Sequence, residues 1–210
     1  EIEGGSYSAE LAELFFELGR SFRTEQRYED AVNALHQGMH VQRVNEGIYS
    51  LQQVNYLREI AVTESARHNW KKADKYLQHA LWIHTKNYPL NDPNITTFLG
   101  ELSQWHKQVY LQRSPHRGFV NLQSAYSYDK EAASKAMSYQ QNTPEQLRKY
   151  FTAVADSSLK LARHISQYGL PESSRLVISS NNHRLANKSA PALRLRKHYI
   201  DGRHALKANI

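Results

Sequence analysis

The chain has 210 residues, with 27 Lys and Arg against 20 Asp and Glu, a formal net charge of +7, and 40% hydrophobic and 10% aromatic residues. This apolar share supports a packed core and excludes a disordered tail, while a mean hydropathy of −0.71 fits a solvated helical surface. No Cys is present, which excludes disulfides, thiolate metal sites and Cys nucleophiles; no stretch approaches the ~18 apolar residues of a membrane span, and nothing reads as a signal peptide.

From Ser8 to Thr24, Leu11, Leu14, Phe15, Leu18 and Phe22 follow three-four spacing, which predicts a helix with these side chains on one face. A partner helix from near Tyr28 carries Ala31, Leu35 and Met39, with Ala31 and Gly38 small enough for close approach. A second hairpin repeats the plan through Val54, Leu57, Ile60 and Ala61, then Trp70, Ala73, Leu77, Ala80 and Leu81. Between the two, Asn45-Glu46-Gly47 supplies a helix stop and Ser50 an N-cap. A third leading helix starts at Asp92-Pro93, a cap followed by Pro at the first helical position, and runs through Ile95, Leu99, Leu102, Trp105 or His106, and Val109. Gln112 to Gly118 reads as a loop by composition, with helix resuming from Leu122 to Gln140. Thr143-Pro144 opens a further amphipathic helix that Gly169-Leu170-Pro171 stops; beyond it, Glu172 to Lys188 and Pro191 to Asn209 each suggest a helix.

Positions recur at an offset of 42. Gly5, Tyr7 and Ser8 return as Gly47, Tyr49 and Ser50; Leu18-Gly19, Tyr28, Ala31, Leu35 and Gly38 return as Ile60-Ala61, Trp70, Ala73, Leu77 and Ala80. A repeat of this kind buries its apolar face only by stacking on copies of itself, and it leaves an extended surface for partners. The step from Asp92-Pro93 to Thr143-Pro144 is nine residues longer, which predicts a loop insertion in the third repeat.

These residues resemble the tetratricopeptide repeat. Phe15, Leu18-Gly19, Phe22, Tyr28, Ala31, Leu35 and Gly38 answer its signature in order, as do Leu57, Ile60-Ala61, Trp70, Ala73, Leu77 and Ala80. The period is similar to the longer variety found in kinesin light chains and many bacterial repeat proteins. The resemblance implies an all-α solenoid, a superhelix of antiparallel helical hairpins over residues 1–170 (about 8–42, 50–88, 92–140 and 144–170 onward). A basic helical extension or cap at 171–210 would complete it, with three or four repeats in all. It also implies a non-catalytic scaffold or adaptor that captures a protein or peptide in a groove lined by the first helix of each hairpin.

Polar residues beside the signature columns are the groove candidates. Arg20, Arg23, Arg58 and Lys107 would clamp a carboxylate or an acidic segment, because cationic donors match carboxylate oxygens. Phe16 would add an apolar anchor, and Asn55 would bond an extended peptide backbone. Ordinary solvated helix residues paired with Glu17, Glu59 and Glu101 are the plainer reading of the same positions.

Charge is divided unevenly. Residues 1–105 carry 10 Lys and Arg against 14 Asp and Glu, whereas 106–210 carry 17 against 6. The C-terminal run with Arg184, Arg194, Arg196, Lys197 and Arg203 would suit an acidic protein or an envelope surface, or serve as a solvated cap. Nucleic acid is the weaker alternative, since no recognisable nucleic-acid module accompanies the basic run. A role as a subunit of a larger assembly fits the same features.

Catalytic and metal signatures are missing. His36 and His40 stand at helical i,i+4 spacing, yet no third ligand is placed by sequence, so neither metal nor cofactor is expected. No phosphate loop, nucleophile elbow or convincing acid/base pair occurs, and an enzyme is not expected. The absence of Cys and of an initiating Met, the latter through processing or truncation, leans toward a bacterial periplasm or envelope, with the cytoplasm the alternative.

Overall fold

The computed structural model describes residues 9–139 and 141–170, and beyond these only Lys197, His198, Asp201 and His204. Among the described residues seven helices occur and no strand. They fall into two compact units, Glu1–Pro89 and Leu90–Ile210.

The first unit holds α1 (Ala9–Thr24), α2 (Tyr28–Glu46), α3 (Gln53–Ala66) and α4 (Trp70–Asn87), with α1 packed on α2, α2 on α3 and α3 on α4. The two hairpin turns are copies of each other. Gln26 and His68 take left-handed backbone conformations, and the next amides, Arg27 and Asn69, reach back to Phe22 and Glu64 carbonyls at 2.8 Å each. This closes the helix end by satisfying its last carbonyls. Small residues sit where the helices touch: a Cβ on Gly19 would lie 2.5 Å from Leu35 Cγ, and one on Gly38 would lie 2.6 Å from Tyr56 Cε1. Gly47 ends α2 with φ 89°. Ser50 precedes α3 by three residues, its hydroxyl accepting the Gln52 amide at 3.2 Å.

The expected apolar face of α1 is only partly buried. Ala12 and Gly19 are covered and Leu11, Phe15 and Phe22 are half-covered, but Leu14 is 64% and Leu18 38% exposed. The reason lies in stacking. Their counterparts one repeat later, Tyr56 and Ile60, are buried against the hairpin before them, whereas no described helix lies before α1.

The second unit holds α5 (Pro93–Gln112), α6 (Pro115–Ser138) and α7 (Pro144–Tyr168), with α5 packed on α6 and α6 on α7. Each begins with Pro at its first position, where a missing amide costs nothing. Asp92 caps α5 by accepting the Asn94 amide at 2.8 Å, and Thr143 and Gln146 form a reciprocal capping box on α7.

The expected loop over Gln112 to Gly118 is corrected. Only Arg113 and Ser114 separate α5 from α6, and Pro115 to Gly118 are helical. The small column reappears three residues late: Ala73, Leu77 and Ala80 correspond to Gly118, Leu122 and Ala125, all buried. The added length is helix. α5 has 20 residues against 16 in α1 and 14 in α3, and α6 has 24 against 19 in α2 and 18 in α4. Phe119, Leu122, Leu161, Ile165 and Leu170 form one core cluster, with Ala133, Val154 and Ala155 in another. The helices expected at Glu172 to Lys188 and Pro191 to Asn209 lie outside the described residues, apart from the four named above.

Candidate functional site

The leading helices of the first unit, α1 and α3, bring two sequence candidates, Phe16 and Asn55, to one hollow of 210 Å³, lined also by Ala9, Glu13, Gln42, Gln52 and Tyr56. Phe16 is half-buried and meets the Tyr56 ring edge-on at 5.0 Å between centroids, a favoured aromatic geometry. Tyr56 is fixed from below. It is 5% exposed, and its hydroxyl donates to the Ala12 carbonyl at 2.8 Å across the two helices. Burial, and then the charges of Glu13 and Glu46, push its phenol up to about 12, so it remains a neutral donor.

Above this aromatic pair the charges begin. Arg20 is exposed, bonds Glu17 at 3.1 Å, and lies 6.0 Å from the centre of the Phe16 ring. Arg23 reaches from α1 to Glu59 of α3 at 3.2 Å, tying the two helices together. Asn55 is exposed at the rim of the hollow with its amide available to a bound backbone. The result is an aromatic floor and an amide at the hollow, with Arg20 and Arg23 of α1 beyond its lining.

The other candidates go elsewhere. Arg58 is half-buried, and its charge helps, after burial, to hold His84 of α4 below the ordinary imidazole range, which places it toward α4. Lys107 belongs to the second unit. Its ammonium is 3.0 Å from Asp129 of α6 and 3.3 Å from Asp156 of α7, with the side chain only 11% exposed. Lys160 completes the group at 2.7 Å from Asp156. Burial disfavours the Asp156 charge, but Lys160 and then Lys107 outweigh it and hold the carboxyl below its usual value. Lys107 is thus engaged in a three-helix ion network. Lys197 is exposed, while Arg184, Arg194, Arg196 and Arg203 lie outside the described residues.

His36 Nε2 shares a hydrogen bond with the Tyr76 hydroxyl at 3.0 Å. Among the described residues no group of three or more His, Asp or Glu is placed to hold a metal ion, and no described helix is long and apolar enough to cross a membrane.

Sequence reasoning missed Tyr56, Gln42 and Gln52. One trace of Tyr56 was present: the small column reads Ala80 in one repeat and Gly38 in the other, and Gly38 is where a methyl would strike the Tyr56 ring.

No family model matches the chain, and neither does any curated protein. Among solved structures, BtubC (BKLC) from P. vanneervenii aligns with a TM-score of 0.55 and 11% identity over 99% of this chain. This chain spans 66% of that structure's length. Two crystal structures of nearly identical TPR-like repeats from Podosopora anserina, the second a variant, give TM-scores of 0.48 and 0.49 at 14% and 16% identity. They cover 96% and 98% of this chain and 94% and 92% of their own. At these identities the likeness concerns fold. The likeness to BtubC, together with the repeated hairpins, the duplicated turns and the small-residue columns, gives the chain the all-α fold of a tetratricopeptide-type repeat protein.

Proposed function

We propose that the chain is a non-catalytic interaction scaffold whose α1–α3 face captures a peptide or protein segment that is acidic and carries an apolar anchor. The observation that carries this reading is the convergence of Phe16 and Asn55 on one hollow, with Arg20 over the Phe16 ring. An apolar side chain would settle on Phe16 and Tyr56, Asn55 would hold the bound backbone, and Arg20 and Arg23 would meet carboxylates. Interfaces concentrate energy in such aromatic and arginine anchors. Glu17 and Glu59, which now hold the two arginines, define the competition a ligand carboxylate must win. Membership in a larger assembly is compatible with the same face.

Selection of peptides from a random display library, followed by titration with fluorescence detection, tests the proposal. Selected peptides should be enriched in Asp and Glu around one large apolar residue. Phe16→Ala and the charge reversal Arg20→Glu/Arg23→Glu should each weaken binding by ~10-fold or more, about 1.4 kcal/mol, with helical circular dichroism retained. Peptides of no particular charge whose affinity ignores both changes would refute this site.

A further inference from the structure

A separate cleft of 740 Å³ opens between α2 and α4, and it shares no lining residue with the α1–α3 hollow. Its size falls within the ~300–1,000 Å³ of small-molecule sites. The end of α3 forms its base. There Glu64, 2% exposed, accepts from Asn69 at 2.7 Å and lies 3.8 Å from Arg67 and 4.0 Å from Lys72, so its charge is balanced inside the protein. Glu29 of α2 is bonded to Arg67 at 2.8 Å, with its side chain 80% exposed.

The α4 wall has a pattern of its own. Lys72, Lys75 and His79 line it at three- and four-residue steps, which places them on a single helix face that Trp82 continues beyond the cleft's lining. Lys75 forms no ion pair among the described residues. The first turn of α4 contains no acidic residue and instead carries Lys71 and Lys72, at the helix end whose dipole repels cations and attracts anions. Farther along, Trp82 is 41% exposed and its ring lies 5.6 Å from that of His79. Burial, and then the nearby Arg43 charge, hold His79 and the facing His36 below the usual imidazole value, so both present neutral rings.

We propose that this cleft binds a compact phosphate ester bearing a flat ring, its phosphate lodged among Lys72, Lys75 and Arg67 and its ring lying against Tyr76 and His79. Arg67, Lys72 and Lys75 outnumber the Glu29 and Glu64 carboxylates of the same lining by one positive charge, to which the helix N-terminus adds, and this excess suits an anion. A compact ligand is favoured over a nucleic-acid strand because residues 1–89 carry 10 Lys and Arg against 12 Asp and Glu, leaving no extended positive track.

Calorimetric titration of the purified chain with adenosine monophosphate, inorganic phosphate, adenosine and a uridine oligonucleotide tests this. Adenosine monophosphate should saturate one site, and adenosine should bind at least ~10-fold more weakly. Lys72→Glu/Lys75→Glu, at two exposed positions, should weaken the monophosphate by at least ~10-fold with helicity retained. His79→Ala should weaken the monophosphate while leaving inorganic phosphate unaffected. Absence of saturation, or saturation indifferent to the lysine pair, overturns the proposal; so does tight oligonucleotide binding without monophosphate binding, which would make the face a strand surface.

Discussion

Gln26 and His68 hold the same left-handed backbone conformation, φ 62° and 61°, at the same point of successive hairpins. Neither is Gly, so each turn keeps a conformation that costs an L-residue roughly 1 kcal/mol or more. Gln26→Gly is therefore expected to raise stability by up to about 1 kcal/mol in urea denaturation, after the extra chain entropy of Gly is subtracted. Gly47→Ala should do the reverse by about 1 kcal/mol. Its φ is 89°, and nothing lies within 4 Å of the added methyl, so only the backbone can be responsible.

Ile60 and Leu18 occupy equivalent positions in two repeats but live in different surroundings, 0% against 38% exposed. Ile60→Ala should cost about 2–5 kcal/mol by opening a cavity between hairpins, whereas Leu18→Ala should stay within about 1 kcal/mol. Thermal melts of the two variants measure this, and equal losses would contradict the stacking account of α1.

The Lys107 network makes a sharper demand. Lys107→Ala strands the buried Asp129 carboxylate and should destabilise the second unit by about 3–5 kcal/mol, while Lys107→Met combined with Asp129→Leu should recover most of the loss. Comparable damage from the double change would mean that packing, rather than charge, fixes these helices. Asp156 adds a pH signature. Its carboxyl is held below 3.8, so its contribution is intact above that value and is lost as pH falls through the lowered one.

A second pH window comes from His164. The ring is 1% exposed, shares a hydrogen bond with the Tyr110 hydroxyl at 3.1 Å, and packs against Phe119 and Tyr168 at centroid distances of 4.9 and 5.1 Å. Burial, and then His116, push its protonation below the ordinary 6.5. Protons therefore favour the unfolded chain from pH 6.5 down to the lowered value, and stability should fall across that interval. His164→Phe should flatten this slope in pH-resolved denaturation; an unchanged slope would assign it to His36, His79 and His84, which are also depressed.

Local chemistry was readable from sequence, and long-range chemistry was not. Asp92-Pro93 and Thr143-Pro144 announced helix starts because a cap acts within three residues, and the Ala, Leu and Gly columns exposed the hairpins because their spacing is a local property of helices. Composition misled at Pro115 to Gly118, where Pro was a first-turn residue and Gly a small contact beneath Tyr110. Lys107 looked like a groove cation because its carboxylates arrive from α6 and α7, far along the chain. Leu18 looked like core because the pattern records which face packs, not whether a neighbour stands there.

The uncovered Leu14 and Leu18 give the first unit an open socket. A second copy of residues 9–50 joined ahead of α1 in the same register would bring its own α2 against them, as α2 now meets Tyr56. In engineering language the hairpin is a stackable brick, and Leu14 and Leu18, against which no described helix is stacked, mark the face on which a designed copy would be laid.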